Sequence, residues 1–121
     1  MKKGIVFALA IALMVLFVGC GLQNQLAGTK WEMKYVEDDD SETVTFDLKE
    51  SGSLVVTTTV VYNGESDSDT EEGKWFCADD ILFLEGDDLI WEGCYEVEIN
   101  KDEMILTVED SGTFFKLTKV N

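Results

Sequence analysis

The sequence predicts an all-β fold: an up-and-down antiparallel meander of about eight short strands that closes into a small barrel. Three observations predict it. Beyond residue 30, apolar side chains recur at every second position through most of the chain, the repeat of a half-buried strand whose successive side chains leave on opposite faces. These runs are rich in Val, Thr, Phe, Tyr and Trp, and the chain has no proline to interrupt them. Short clusters of turn residues separate the runs, so sequence neighbours pair as antiparallel hairpins. A meander of this kind removes its exposed edges by closing on itself.

The chain opens differently. Lys2 and Lys3 precede an apolar stretch from Ile5 to Val18, followed by Gly19-Cys20. A basic head, an apolar run and a small residue before a cut describe a secretory signal. The run is shorter than the ~20 residues a spanning helix needs. Leu16-Phe17-Val18-Gly19-Cys20 resembles the lipobox of bacterial lipoproteins. That resemblance implies a signal peptide over residues 1–19, lipidation of Cys20 and removal of what precedes it. It also implies an address in the cell envelope, anchored by lipid on the extracytoplasmic side of a bacterial membrane. Gly21 after the cysteine is compatible with the outer membrane if the cell has one. Residues 20–28 form the lipidated cysteine and a short polar tether, and residues 29–121 the barrel domain.

The strands follow in order. Trp31, Met33 and Tyr35 alternate with polar partners, as do Val44, Phe46 and Leu48. Leu54 to Tyr62 is a longer β-type run. Lys74 to Cys77 and Ile81 to Leu84 are short ones. Leu89 to Ile99 reads as a strand bent at Gly93, Met104 to Val108 as the next, and Thr113 to Val120 as the last. Ser51-Gly52, Asn63-Gly64, Gly86-Asp87-Asp88, Asn100-Lys101-Asp102 and Ser111-Gly112 supply reversals between them. Glu37 to Glu42 and Asp67 to Glu72 read as acidic loops.

Leu26-Ala27-Gly28-Thr29-Lys30-Trp31 resembles the opening of small bacterial lipocalin-like domains. Val44-Thr45-Phe46-Asp47-Leu48, Gly73-Lys74-Trp75, Tyr95-x-Val-x-Ile99, Met104 to Val108 and Phe115 to Val120 continue the likeness over most of residues 26–120. The resemblance implies a barrel with Trp31 plugging one end and, with strands this short, a shallow cavity. Trp31, Trp75, Phe83, Trp91 and Tyr95 are the candidate ligand-lining residues; large aromatics also dominate packed β cores.

Composition narrows the function. All 25 acidic residues follow Cys20, against seven lysines there, a side-chain charge of −18. The chain has no Arg and no His. Such a surface repels nucleic acid and lacks the guanidinium forks that grip phosphate. Without His there is no ordinary base near neutral pH, and no activated nucleophile is indicated, so an enzyme is not expected. No cofactor or metal is expected: Asp67, Asp69 and Glu71 echo a calcium loop, but its Gly and closing Glu are missing. Cys77 and Cys94 remain beside Cys20. Outside the cytoplasm they pair as a disulfide or stay as two buried thiols; the bond is expected, worth ~3 kcal/mol.

Two functions remain. The first is a lipid-anchored lipocalin-like binding module that holds a small apolar or neutral ligand. The second is a solid barrel that contacts an envelope protein through its acidic surface.

Overall fold

The computed structural model describes residues 21–120. The signal segment and Cys20 lie outside the described residues. A short helix, α1, covers residues 21–26. Eight strands follow: β1 (Thr29–Glu37), β2 (Asp40–Leu48), β3 (Ser53–Tyr62), β4 (Glu65–Ala78), β5 (Ile81–Glu85), β6 (Gly93–Asn100), β7 (Glu103–Val108) and β8 (Phe114–Val120). Each pairs antiparallel with the next, and β8 returns to β1, giving a closed up-and-down barrel in the order 1 to 8. This is the architecture expected from the two-residue repeat, and it is consistent with a lipocalin-like fold. Among the described residues no helix is long and apolar enough to cross a membrane.

Turn chemistry explains the connections. Asn63 and Gly64 both have positive φ, 51° and 80°. A two-residue hairpin turn of that hand matches the strand twist, and Asn-Gly is its preferred sequence. Asp38, Asp79 and Lys101 take the same left-handed conformation in the other tight reversals. The long connection between β5 and β6 differs from expectation. Leu89 to Glu92 do not extend the strand; they belong to a loop, and β6 begins at Gly93.

Register sets what meets inside. Trp31 faces Phe46, which faces Val56; Trp75 faces Leu84; Met104 faces Leu117. These residues, with Leu48, Leu54, Leu82, Leu106 and others, form one buried core. Both indole nitrogens are satisfied, as buried donors must be. Trp31 Nε1 donates to Thr29 Oγ1 at 2.8 Å, and Thr29 Oγ1 donates to the Leu26 carbonyl at 2.6 Å. Trp75 Nε1 donates to the Lys49 carbonyl at 2.8 Å.

The segment before β1, expected as a short polar tether, is built into the fold. Leu26 is fully buried in the core. The Gln23 side chain accepts a hydrogen bond from the Cys77 backbone at 2.8 Å. α1 therefore lies across the end of the barrel where β1 begins and where the β4–β5 and β6–β7 turns sit. Its only complete apolar anchor is one leucine, too little to show as a helical repeat.

The expected disulfide is absent, and Cys77 and Cys94 are free. Cys77 is on β4 and Cys94 on β6, with β5 between them. Two strand spacings amount to ~9.6 Å, beyond the ~7 Å Cα separation a disulfide can bridge. The faces also differ. Cys77 aligns through Leu82 with Tyr95 on the interior, whereas Cys94 aligns with Phe83 on the outer wall. Burial pushes the Cys77 thiol up to about 11.

Candidate functional site

The eight strands do not end together. β1 pairs with β8 only over Lys30 to Glu32, and β4 pairs with β5 only over Lys74 to Ala78. Beyond these rows, the far halves of β1 to β4 continue as a four-stranded lip, paired only among themselves. Met33–Glu37 and Glu65–Glu71 are its two edges among the described residues. The lip stands at the end opposite α1, and its concave face prolongs the barrel interior.

The acidic segment expected as a loop is the second of those edges. Residues 67–72 are part of β4, which runs unbroken from Glu65 to Ala78. Pairing with the Val- and Thr-rich β3 overrides the poor strand propensity of Asp. Thr59 and Ser68, directly opposed on the outer side, share a hydrogen bond of 2.9 Å. Asp40 Oδ1 accepts from the Asn63 backbone at 3.3 Å and ties the tips of the two hairpins together.

Alternation then sorts the lip by face. Glu65, Asp67, Asp69 and Glu71 point to the concave side, in register with Tyr62, Val60, Thr58 and Val56 of β3. Glu42 lies beyond Val60 and faces Tyr35. Alternate acids along a strand are ~6.8 Å apart, so they form a rail rather than a cage. Among the described residues no three acids or cysteines converge to hold a metal ion. Of the two ion pairs among the described residues, Lys49–Asp47 and Lys116–Glu103, neither involves the rail.

Between the rail and the β5–β6 loop lies an open cleft of about 330 Å³. Val44, Val60, Ile90 and Trp91 give it an apolar floor; Glu42, Asp67, Asp69 and Glu71 give it an acidic side. Tyr35, Val60, Tyr62 and Ile90 are large apolar groups left exposed around it, Ile90 by 83%. Contiguous exposed apolar surface of this kind marks interaction sites. Larger hollows occur elsewhere, but that beside Gly73 and Gly86 is lined by Glu, Asp, Lys and Gly alone.

Of the five candidate lining residues, only Trp91 borders this cleft. Its ring makes edge-to-face contacts with Phe46 (5.3 Å) and Phe115 (5.1 Å), closing the barrel interior from above. Trp31 and Trp75 are core residues near the α1 end, each 2% exposed. Tyr95 is buried, its hydroxyl donating to the Trp91 carbonyl at 2.7 Å; burial, and secondarily Cys94, raise its pKa. Phe83 is on the outer wall, stacked on Phe76 with ring centroids 4.6 Å apart. A strand whose inward positions are Leu82 and Leu84 must turn Phe83 out. Tyr35, Val60, Tyr62, Ile90 and the acidic rail were not among the candidates. The alternation Glu-Ser-Asp-Ser-Asp-Thr-Glu over residues 65–71 is itself period two, and it was the available signal.

Charge is distributed unevenly along the barrel axis. Lys30, Lys49, Lys74, Lys101 and Lys119 sit toward the α1 end, and Lys34, on the outer face, is the only lysine of the lip. No family model and no curated protein matches the chain.

Proposed function

We propose that the protein is a lipid-anchored, extracytoplasmic binding module of lipocalin-like build, and that it meets a protein of the cell envelope at its lip. The observation that carries this reading is the contrast between the two halves of the barrel. Trp31, Trp75, Phe46 and the surrounding leucines fill the interior, with Trp91 closing it, whereas the lip leaves apolar and acidic groups together in water. A packed interior supports a solid barrel over a deep calyx.

The anchor fits the same reading. α1 starts one residue after Cys20 and packs at the end opposite the lip. A lipid on Cys20 holds the α1 end against the bilayer and turns the lip toward the aqueous space. Cys20→Ala removes the anchor, and the protein then leaves the membrane fraction.

The apolar floor of the cleft favours a second reading, in which a small apolar ligand rests at the mouth. At about 330 Å³ the cleft is at the small end of ligand pockets.

A photo-crosslinking side chain placed at Tyr35 or Tyr62 in cells separates these possibilities. We expect protein adducts from both positions and none from Phe76 on the outer wall. Adducts from Phe76 alone, or from no position, contradict a protein-binding lip. Retention of a small neutral molecule, seen by native mass spectrometry of the detergent-extracted protein, supports the second reading instead.

A further inference from the structure

We propose that the partner presents an extended basic segment that adds a strand to the free edge of β4 and lays its apolar side chains over Val60 and Trp91. This inference rests on the reading of the lip as a protein-binding surface and names the chemistry of the partner.

Three features of the lip select that occupant. The first is the edge. Glu65 to Glu71 pair on one side only, with β3, while Glu72 and Gly73 lie against Glu85, Gly86 and Leu89; on the free side the Thr70 N–H already donates to Asp69 Oδ1 at 3.1 Å. In such a strand alternate residues turn N–H and C=O groups away from the sheet, and an extended chain satisfies them by continuing it. A small molecule has no comparable use for a row of backbone groups. The cleft reaches this edge, since the outward-facing Ser68 lines it beside Asp67 and Asp69.

The second feature is charge. The concave face of the lip carries Glu42, Glu65, Asp67, Asp69 and Glu71, and no lysine. A chain carrying Lys or Arg at alternate positions matches a rail whose charges also fall at every second residue. The same rail repels a second copy, because edge-to-edge pairing of two β4 strands brings like charges together. Tyr35 and Tyr62, both more than half exposed, offer ring faces to cations at the rim.

The third feature is the apolar floor. Val44, Val60, Ile90 and Trp91 lie beside the rail, so the partner alternates basic with apolar side chains instead of being uniformly basic. Phe46 and Phe115 hold the Trp91 ring, so it is a preformed anchor.

The test uses the full-length protein in a zwitterionic detergent and an eight-residue peptide that alternates Lys with Val. Hydrogen exchange at each amide reports where it pairs. We expect slowed exchange across Glu65 to Glu71. Asp67→Asn combined with Asp69→Asn should weaken binding about tenfold, as should a rise from about 50 to about 500 mM salt. Glu42→Gln, on a different strand, should weaken it in the same direction. A peptide with Glu in place of Lys, or with alternate backbone amides methylated, should not slow exchange.

Equal protection by the methylated peptide or by spermine overturns strand addition in favour of a free cation in the cleft. Protection that depends on protein concentration without peptide overturns it in favour of self-pairing. Absence of protection by the basic peptide, while Tyr35 and Tyr62 still crosslink in cells, overturns the basic-strand inference alone. Loss of those crosslinks overturns the protein-binding lip itself.

Discussion

At the scale of single residues, the face a side chain occupies decides its role. Gly73 is the tightest position: a β-carbon there meets the carbonyl oxygen of Glu85, a backbone atom that cannot step aside, with Leu89 also close. Gly73→Ala should therefore cost about 2 kcal/mol, measured by urea unfolding. Cys77 illustrates an effect of burial that sequence spacing does not reveal. Its thiol is held neutral to about pH 11, above its ordinary value of 9.0. The unfolded chain gives up that proton first, so stability present below pH 9 is lost as pH rises toward 11. Tyr95, also raised by burial and secondarily by Cys94, acts in the same direction. The urea midpoint should fall over that window and fall less in Cys77→Ser, after allowing for the offset of the substitution itself. Trp31 and Tyr95 were legible as inward-facing aromatics from alternation, and Trp75 from the tendency of large aromatics to fill β cores. Phe83 was not legible as an outward residue, because its segment is too short to show which phase of the alternation faces inward.

At the scale of elements, the strands with apolar alternation were legible and those without it were not. β1, β2, β3, β7 and β8 follow their hydrophobic repeats closely. The first half of β4 carries acids where other strands carry Val or Leu, so the signal that marks a strand was silent there and a loop was expected. Its place in the sheet comes from long-range pairing with β3, which local propensity does not register. The candidate site was missed with it, since the rail is that half-strand. Asp67 and Asp69, lying ~6.8 Å apart on one face, repel each other weakly. Asp67→Asn should raise stability by about 0.5 kcal/mol at low salt and by less at high salt. α1 was missed for a different reason: one buried residue, Leu26, secures it. Leu26→Ala should cost about 3 kcal/mol in urea unfolding, because it empties a fully buried site.

At the scale of the whole molecule, closure and polarity matter most. Every strand finds two neighbours near the α1 end, so the barrel closes there around two tryptophans. At the other end β1 and β4 each lose a neighbour, and the sheet opens into the lip. The disulfide expected from two cysteines in an oxidising compartment fails because a closed barrel puts a strand between them and turns them to opposite sides of the wall. Reducing agent should accordingly leave the thermal midpoint of the purified protein unchanged, and a fall of several degrees would show a bond. The acidic excess was visible in composition. Its concentration on a free sheet edge, away from most of the lysines, was not, since only the register brings Glu42, Val60 and Asp67 into one row.

The three tryptophans together report where the barrel is solid and where it binds. Trp31 and Trp75 lie in the packed interior and Trp91 at the mouth. The indole N–H resonances of the full-length protein, followed by NMR while the alternating Lys-Val peptide is added, separate the two places. A solid barrel that binds at its lip predicts a shifted Trp91 signal with Trp31 and Trp75 unmoved. Shifts at Trp31 or Trp75 with Trp91 unmoved would contradict it.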